Sequence, residues 1–313
     1  VQTCALPISA SRICSPSTTR PRRSTASRSD PLPAPASPTR SEVLVHDFFR
    51  DENPANPWNP VQAIRWHLIA QAGGNNDPFL DEYASPVWGV GPRRMDPSPI
   101  RATDVGFPRV VLLSHNHYDH LDRRTLFALP GRTAATAIVP EGLGPYARDI
   151  GFARATELPW GASVEIGPVT VTSIPAVHFS GRGLLDRNRT HWNGYLMATR
   201  RRRVYFAGDT AYSPALGAAA SAAGGCDIAL VPIGAYMPAE IMVPVHSTPE
   251  EAVQIGRDAR ASRVFAMHWG TIPLSTEPAF EPPLRFAAAA TRAGYRNDEI
   301  MIPTIGATTF LDG

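Results

Sequence analysis

The sequence predicts a layered α/β fold with mixed sheets. Short apolar runs rich in β-branched residues, typical of buried strands, alternate along the chain with segments that carry helix-starting and helix-ending residues. Pairs of strands separated by short turns lie among them and indicate antiparallel hairpins. Together these observations favour helices packed on sheets that contain both parallel and antiparallel strands.

The individual elements follow from the same patterns. In chain order, the predicted strand regions are 109–114, 136–140, 162–176 (a hairpin), 194–199 with 204–210 (a second hairpin-like pair), 227–234, 263–270 and 301–310. The predicted helices are 119–129, 247–260 and 282–294. The second helix has the clearest start, because Thr248 is a suitable N-cap, Pro249 suits the first position and Glu251 completes a capping box.

Composition limits the possible functions. The chain is 43% hydrophobic and 19% charged, and no apolar run approaches the roughly 18 residues of a transmembrane helix. Residues 1–40 hold six of the 30 arginines and one acid, so the remainder is slightly acidic. We therefore predict no nucleic-acid partner, and a tRNA-processing nuclease is disfavoured. The sequence does not define an oligomeric state.

The chain divides into a tail and one domain. Residues 1–40 are rich in proline, serine and threonine and are predicted to be disordered. The opening VQTCALPIS resembles a translated sequencing adaptor, which favours an artefactual origin for this tail over a transit peptide. Residues 41–313 are predicted to form the folded domain. It contains one cysteine, Cys226, and therefore no disulfide framework, which indicates a reducing, cytoplasmic location.

A cluster of polar residues follows the first predicted strand. Residues 114–122 read SHNHYDHLD. In extended backbone, residues two apart point the same way, so His115 and His117 can bind one ion. Asp119 and His120 follow where the chain turns into the helix. Imidazoles and carboxylates together suit Zn²⁺, so this spacing predicts a zinc site.

Three further metal-capable residues lie at the ends of later strands. They are His178, Asp209 and His268, in the stretches PAVHFS, YFAGDT and FAMHWG. Open α/β folds place their sites at strand ends. Any one of these residues could be a hydrogen-bonded core residue, but three of them beside the cluster favour a metal centre.

These residues carry a resemblance to a known family. The pattern His-x-His-x-Asp-His, followed by His, Asp and His, resembles the metal-ligand pattern of the metallo-β-lactamase fold, an αββα sandwich of two mixed sheets. Over residues 77–280, the stretches LLSHNHYDHLD, HFSGRGLLDRNRTHW, FAGDTAY, HSTPEEAV and MHWGT resemble the N-acylphosphatidylethanolamine phospholipase D branch and its bacterial relatives.

The resemblance implies a site and a reaction. His115, His117 and His178 would bind one zinc ion. Asp119, His120 and His268 would bind a second, and Asp209 would bridge the two. The implied enzyme is a binuclear zinc hydrolase that cleaves a phosphodiester with activated water and releases phosphatidic acid and an N-acylethanolamine. Its partner would be a phospholipid, with peripheral membrane contact.

His246 is the second predicted catalytic residue beside Asp119. It precedes the capped helix, where it could contact the phosphate, protonate the leaving group or serve a structural role. Gly208 and Gly234 are expected to allow close backbone approach near the metals, and His191 is taken as incidental. Two segments are possible lipid contacts, although each is better explained as ordinary structure: the arginine run 200–203 as a solvated turn, and residues 58–73 as a helix packed on the sandwich.

The chain also departs from the family pattern. Residues 77–94, DPFLDEYASPVWGVGPRR, resemble an Asp-Pro segment of the family. Family members carry strands and a Trp-x-Gly-His-Ala-Thr run before that segment, and no Gly-His dipeptide occurs here. We therefore expect about two N-terminal strands of the first sheet to be missing, which would leave an unpaired edge. Two alternatives stay open: a hydrolase of the same fold acting on another substrate, such as a sugar-phosphate lactone, and an inactive fragment.

Overall fold

The computed structural model describes residues 77–303, and all structural statements concern that range. Its strands are β1 (Val110–Leu112), β2 (Thr136–Pro140), β3 (Arg154–Leu158), β4 (Ser163–Ile166), β5 (Val169–Pro175), β6 (Asn193–Ala198), β7 (Arg203–Phe206), β8 (Ile228–Pro232), β9 (Arg263–Met267) and β10 (Ile300–Met301). Its α-helices are α1 (Arg123–Ala128), α2 (Gly144–Ile150), α3 (Pro214–Ala222), α4 (Ala239–Met242), α5 (Pro249–Asp258) and α6 (Glu281–Arg292).

The strands form two sheets. The smaller sheet has the order β1-β2-β3, and both of its strand pairs are parallel. The larger sheet has the order β10-β9-β8-β7-β6-β5-β4. In it the pairs from β10 to β7 are parallel and the pairs from β7 to β4 are antiparallel. The larger sheet is therefore mixed, as predicted.

The two sheets pack face to face between outer helices. In β1, Leu112 belongs to the apolar cluster that contains the larger sheet, whereas Val111 and Leu113 belong to the cluster that contains residues of α1 and α2. This alternation is the two-residue period of a strand that is buried on both faces. Helices α3, α5 and α6 pack on the other side of the larger sheet. The predicted αββα architecture is confirmed.

Most predicted elements are confirmed, with shifted ends. Helix α5 begins after the predicted capping box, in which Thr248 Oγ1 accepts a hydrogen bond from Glu251 N. Helix α1 begins only at Arg123, because Asp122 is its N-cap and residues 118–120, within the polar cluster, form a turn. Helices α2, α3 and α4 and strand β3 were not predicted. β3 is mostly half-exposed and lacks an apolar run.

Several predictions lie outside the described residues. They concern the tail 1–40, the domain boundary at residue 41, the missing N-terminal strands, the possible helix 58–73 and residues 304–310 of the last predicted strand. Of the helices in residues 77–303, none has the length and apolar character needed to cross a membrane.

The packing of α3 against the end of α5 gives a stability prediction. A Cβ atom at Gly217 would lie 2.7 Å from Asp258 C and 2.9 Å from Ala259 N, and neither backbone atom can move freely. We expect Gly217→Ala to lower the free energy of unfolding by about 1–3 kcal/mol, measured by denaturant titration. Ala218→Ser, at an exposed position of the same helix, should cost at most about 0.5 kcal/mol. Equal stability of Gly217→Ala and the parent chain would contradict this packing.

Candidate metal centre

The predicted ligands meet at one edge of the two sheets. His115 and His117 follow the carboxyl end of β1, and His178 follows that of β5. Asp209 lies three residues after β7, and His268 comes directly after β9. Strands β5, β7 and β9 run in the same direction, so their carboxyl ends share an edge. The fold thus brings together residues that are up to 153 positions apart in the sequence.

Three histidines form the first donor group. His115 Nε2 lies 2.8 Å from His117 Nδ1, and His178 Nε2 lies 3.3 Å from that same atom. Ligands of a tetrahedral ion held at 2.0–2.1 Å are about 3.3 Å apart. The three nitrogens therefore have the mutual spacing of atoms that bind one ion, as the sequence predicts for these residues.

Two carboxylates and two histidines form the second donor group. His120 Nε2 and His268 Nε2 each lie 3.1 Å from Asp209 Oδ2. The same two nitrogens lie 3.3 Å and 3.7 Å from Asp119 Oδ2. Asp209 Oδ2 is also 3.8 Å from His178 Nε2 of the first group. One oxygen of Asp209 thus lies between the two groups, in the position expected of a bridging ligand.

The buried polar atoms fit divalent metal ions. His120 Nε2, Asp209 Oδ1 and both ring nitrogens of His268 have no well-aligned hydrogen-bond partner, although their residues are buried. Unpaired buried polar atoms are costly unless something binds them. The mixed imidazole and carboxylate donors are those that Zn²⁺ and related ions prefer.

The histidines of the first group are held neutral. Burial lowers the pKa of His117, and lowers the pKa of His115 and His178 well below the ordinary histidine value. A neutral imidazole has the free lone pair that a metal ligand needs. These side chains are therefore ready to bind a cation without first losing a proton.

The second group has the opposite electrostatics. Burial opposes a charge on His268, but Asp209 and Asp119 outweigh it and raise the pKa of His268 to about 9. Burial also opposes the charged forms of the two carboxylates, yet His120 and His268 hold the pKa of Asp209 well below its ordinary value. The two carboxylates thus stay charged and attract positive charge into the buried centre.

Asp77 orients ligands of both groups and was not singled out from the sequence. Its Oδ2 accepts a hydrogen bond of 2.8 Å from His120 Nδ1, and its Oδ1 accepts one of 2.5 Å from Ser114 N. The Ser114 hydroxyl also donates to Asp77 and therefore accepts from His115 Nδ1 at 2.8 Å. With Nδ1 of both rings engaged in these hydrogen bonds, the Nε2 atoms of His115 and His120 face the cluster. Asp77 has a φ of 59°, uncommon for a non-glycine residue.

Arg182 holds the loop that carries the first ligands. Its Nη1 donates to the carbonyl oxygens of Asn116 and Leu121, both at 2.8 Å, and lies 3.4 Å from that of His117. Its guanidinium carbon lies 4.0 Å from the centre of the Tyr118 ring, a cation–π contact. One side chain therefore fixes the backbone immediately before His117 and immediately after His120.

His246 lies at the border of the cluster. The side chain is buried, its ring stacks on that of His268 at 5.4 Å, and Nδ1 lies 4.0 Å from Asp209 Oδ2. Burial lowers the pKa of His246 to about 4, so its ring is neutral at pH 7. A neutral ring retains one N–H, which favours hydrogen bonding to a substrate over proton donation.

The remaining predicted residues fall into two sets. A Cβ at Gly208 would lie 3.0 Å from Asn193 O, and one at Gly234 would overlap His268 O, so both glycines allow the expected close approach. His191 and the arginine run 200–203 lie elsewhere. His191 is partly exposed beside Glu141, and the run forms the β6–β7 turn, at the opposite edge of the larger sheet from Asp209.

Comparison with known proteins places this architecture in a family. The profile of the beta-lactamase superfamily domain matches residues 77–269. An uncharacterised protein of Mycobacterium tuberculosis is 39% identical over 219 residues, which cover 68% of this chain and 58% of that protein. The mitochondrial N-acyl-phosphatidylethanolamine-hydrolyzing phospholipase D of Saccharomyces cerevisiae is 34% identical over 230 residues, which cover 71% of this chain and 49% of that one. The chain thus spans about half the length of the curated relatives it matches.

Solved structures show the same fold. A possible metal-dependent hydrolase from Veillonella parvula matches 75% of this chain and 91% of its own with a TM-score of 0.59 at 16% identity. An isothiocyanate hydrolase from Delia radicum gut bacteria matches 76% of this chain and 91% of its own, also with a TM-score of 0.59, at 18% identity. These likenesses confirm the fold class.

The hydrogen bonds of Asp77 give a prediction about metal affinity. In Asp77→Asn one acceptor oxygen becomes an NH₂ group, so either the hydrogen bonds from His120 Nδ1 and the Ser114 hydroxyl or the one from Ser114 N is lost. We expect the affinity for zinc to fall by about 10–100-fold, measured by competition with a chromogenic chelator. Asp96→Asn makes the same substitution at an exposed position later in the chain. It is the matched control and should leave the zinc affinity unchanged. Equal affinities in both variants would show that Asp77 does not orient the ligands.

Proposed function

The chain belongs to the beta-lactamase superfamily, and on that premise we propose that it is a binuclear metal-dependent phosphodiesterase. The observation that carries the proposal is the position of Asp209, whose Oδ2 lies within 3.1–3.8 Å of nitrogens from both donor groups. A carboxylate oxygen shared in this way suits two ions at close range.

We assign two zinc ions to the donor groups. His115, His117 and His178 would hold the first ion, and Asp119, His120 and His268 would hold the second. Asp209 would be a ligand shared by both. When bound, such a pair of ions supplies Lewis acidity toward a phosphoryl group and makes water acidic enough to act as a nucleophile near neutral pH.

The protein's own side chains supply orientation and hydrogen bonds. Asp77 fixes the ring planes of His115 and His120, so the donor atoms are positioned before substrate arrives. Asp119, besides its role as ligand, is proposed as the catalytic carboxylate that accepts a hydrogen bond from the attacking water. His246 donates its remaining N–H to a phosphoryl oxygen, because its depressed pKa leaves the ring neutral.

The proposed substrate is an N-acylated phospholipid. Two relatives named N-acyl-phosphatidylethanolamine-hydrolyzing phospholipase D, from yeast and Caenorhabditis elegans, are each 34% identical to this chain over more than 200 residues. In the proposed reaction the water oxygen forms a bond to phosphorus, and the bond from phosphorus to the ethanolamine oxygen breaks. A proton passes to that oxygen, and the products are phosphatidic acid and an N-acylethanolamine. We propose a cytoplasmic location, which the buried free thiol of Cys226 supports.

A substrate comparison tests the proposal. The purified full chain, loaded with zinc, is assayed against N-acylphosphatidylethanolamine in mixed micelles and against a sugar-phosphate lactone. We expect turnover of the phospholipid with release of N-acylethanolamine, followed by mass spectrometry. Turnover of the lactone alone would replace the phosphodiesterase proposal with the alternative hydrolase, and inactivity toward both despite a full metal load would indicate an inactive fragment.

The variant His246→Gln tests the residue assignment in the same assay. Glutamine keeps a side-chain N–H but not its position, so we expect kcat to fall by about 10–100-fold with the metal content unchanged. His191→Gln, at a partly exposed histidine outside the cluster, is the control and should keep full activity. Unchanged turnover in His246→Gln would remove His246 from the mechanism.

A further inference from the structure

A loop beside the metal centre exposes two adjacent leucines. We call residues 181–189 the finger. The exposed fraction is 101% for Leu184 and 85% for Leu185, the two highest values among the large hydrophobic side chains of the described residues. Scattered apolar residues on a surface need no explanation, but two neighbouring leucines held fully in water indicate a surface that binds something apolar.

The finger is held in one conformation by its own hydrogen bonds. The Asp186 carboxylate accepts from Arg182 N at 3.0 Å and from Gly183 N at 2.7 Å. Asn188 N donates to Ser180 O at 2.9 Å, which closes the base of the loop. The leucines are therefore presented by a built turn, which lowers the entropy cost of docking them.

The finger is joined directly to the metal centre. It begins three residues after His178, and the Phe179 ring at its base contacts the His117 ring, with centroids 4.4 Å apart. Gly181 N donates to Asn116 Oδ1 at 2.7 Å, and Arg182 grips the carbonyl groups of the ligand loop. A surface that binds the leucines is thus connected to the proposed metal centre through the base of the finger.

A second apolar loop is tied to the same place. In the loop 85–91, the side chains of Val87, Trp88 and Val90 are each more than half exposed. Ala84, at the base of this loop, belongs to a small buried cluster against which Tyr118 packs. The Tyr118 hydroxyl in turn donates to Arg182 O at 2.6 Å. The loop and the finger are therefore both anchored on one tyrosine of the ligand loop.

The charges of the finger favour an anionic surface. Its exposed charged residues are Arg187 and Arg189, whereas Arg182 binds the ligand loop and Asp186 accepts hydrogen bonds from the backbone of the turn. Arg187 lies over the Phe179 ring at 4.4 Å, so its charge is at the base of the finger, behind the leucines. Apolar tips with cations behind them suit a lipid bilayer, where the tips enter the acyl region and the cations meet phosphate groups.

We propose that the finger and the loop 85–91 form a membrane-docking surface that binds anionic phospholipid bilayers. Leu184, Leu185 and Trp88 enter the bilayer, and Arg187 and Arg189 contact headgroup phosphates. This proposal rests on the proposed phosphodiesterase function for its biological meaning, because it places the metal centre where a lipid headgroup is available. It places the lipid contact at the other edge of the sheet from the arginine run 200–203, for which the sequence favoured a solvated turn over a lipid contact.

Vesicle flotation of the full chain tests the docking surface. The vesicles are phosphatidylcholine with a minority of phosphatidylglycerol, and the variant is Leu184→Ser with Leu185→Ser. We expect vesicle affinity to fall by about tenfold or more. Phe107→Ser is the matched control, because Phe107 is 80% exposed but lies before β1, at the end of that strand away from the ligands. It should leave vesicle affinity unchanged.

Two further measurements separate the possible outcomes. Arg189→Gln should weaken binding to the anionic vesicles but not to pure phosphatidylcholine. Turnover of soluble bis(p-nitrophenyl) phosphate should be equal in the parent and the leucine variant, which reports folding and chemistry apart from docking. Equal vesicle binding by the parent and the leucine variant overturns the proposal. A parent dimer that the leucine substitutions dissociate, with vesicle affinity unchanged, also overturns it. Leucine-dependent vesicle binding by a chain that cleaves no phosphodiester supports the docking surface and removes only the proposed function.

Discussion

Two carboxylates lie in one buried cluster with five histidine rings. The rest of the structure is arranged around the need to balance the negative charge of those carboxylates. Asp119 and Asp209 remain ionised there, and in doing so they raise the pKa of His268 to about 9. Protons on His120 and His268 balance those charges only partly and leave ring nitrogens without aligned partners. Divalent cations would replace these protons and bind the unpaired atoms at once. The cluster is therefore more easily explained as a metal centre than as a packed polar core.

The scaffold supports this centre at several levels. Parallel β-strands bring their carboxyl ends to one edge, which collects ligands from distant parts of the chain. A chain of hydrogen bonds through Ser114 and Asp77 then sets the ring orientation of His115 and His120. Arg182, itself part of the finger, holds the backbone of the same loop through three carbonyl groups. The positions of the metal ligands and of the exposed leucines in the finger thus depend on a common set of contacts.

The sequence predicted the parts of this structure that have local signals. Helix α5 was predicted from its capping box, and the side chains that meet in the cluster were selected by their spacing at strand ends. Asp77 was missed because its function depends on contacts 37 and 43 residues away and on a positive φ, neither of which a local pattern contains. Strand β3 was missed because an edge strand with mostly half-exposed side chains lacks an apolar run. The alanine-rich α3 had a signal, Ser213 before Pro214, that could have been used.

The metal content of the purified full chain tests the central claim most directly. Inductively coupled plasma mass spectrometry after exhaustive buffer exchange should find about two zinc ions per chain. In Asp209→Asn, which weakens the one ligand shared by both groups, the account predicts loss of at least one ion with the fold retained by circular dichroism. A parent chain that binds no metal, or a variant that keeps both ions, would contradict a centre built on Asp209.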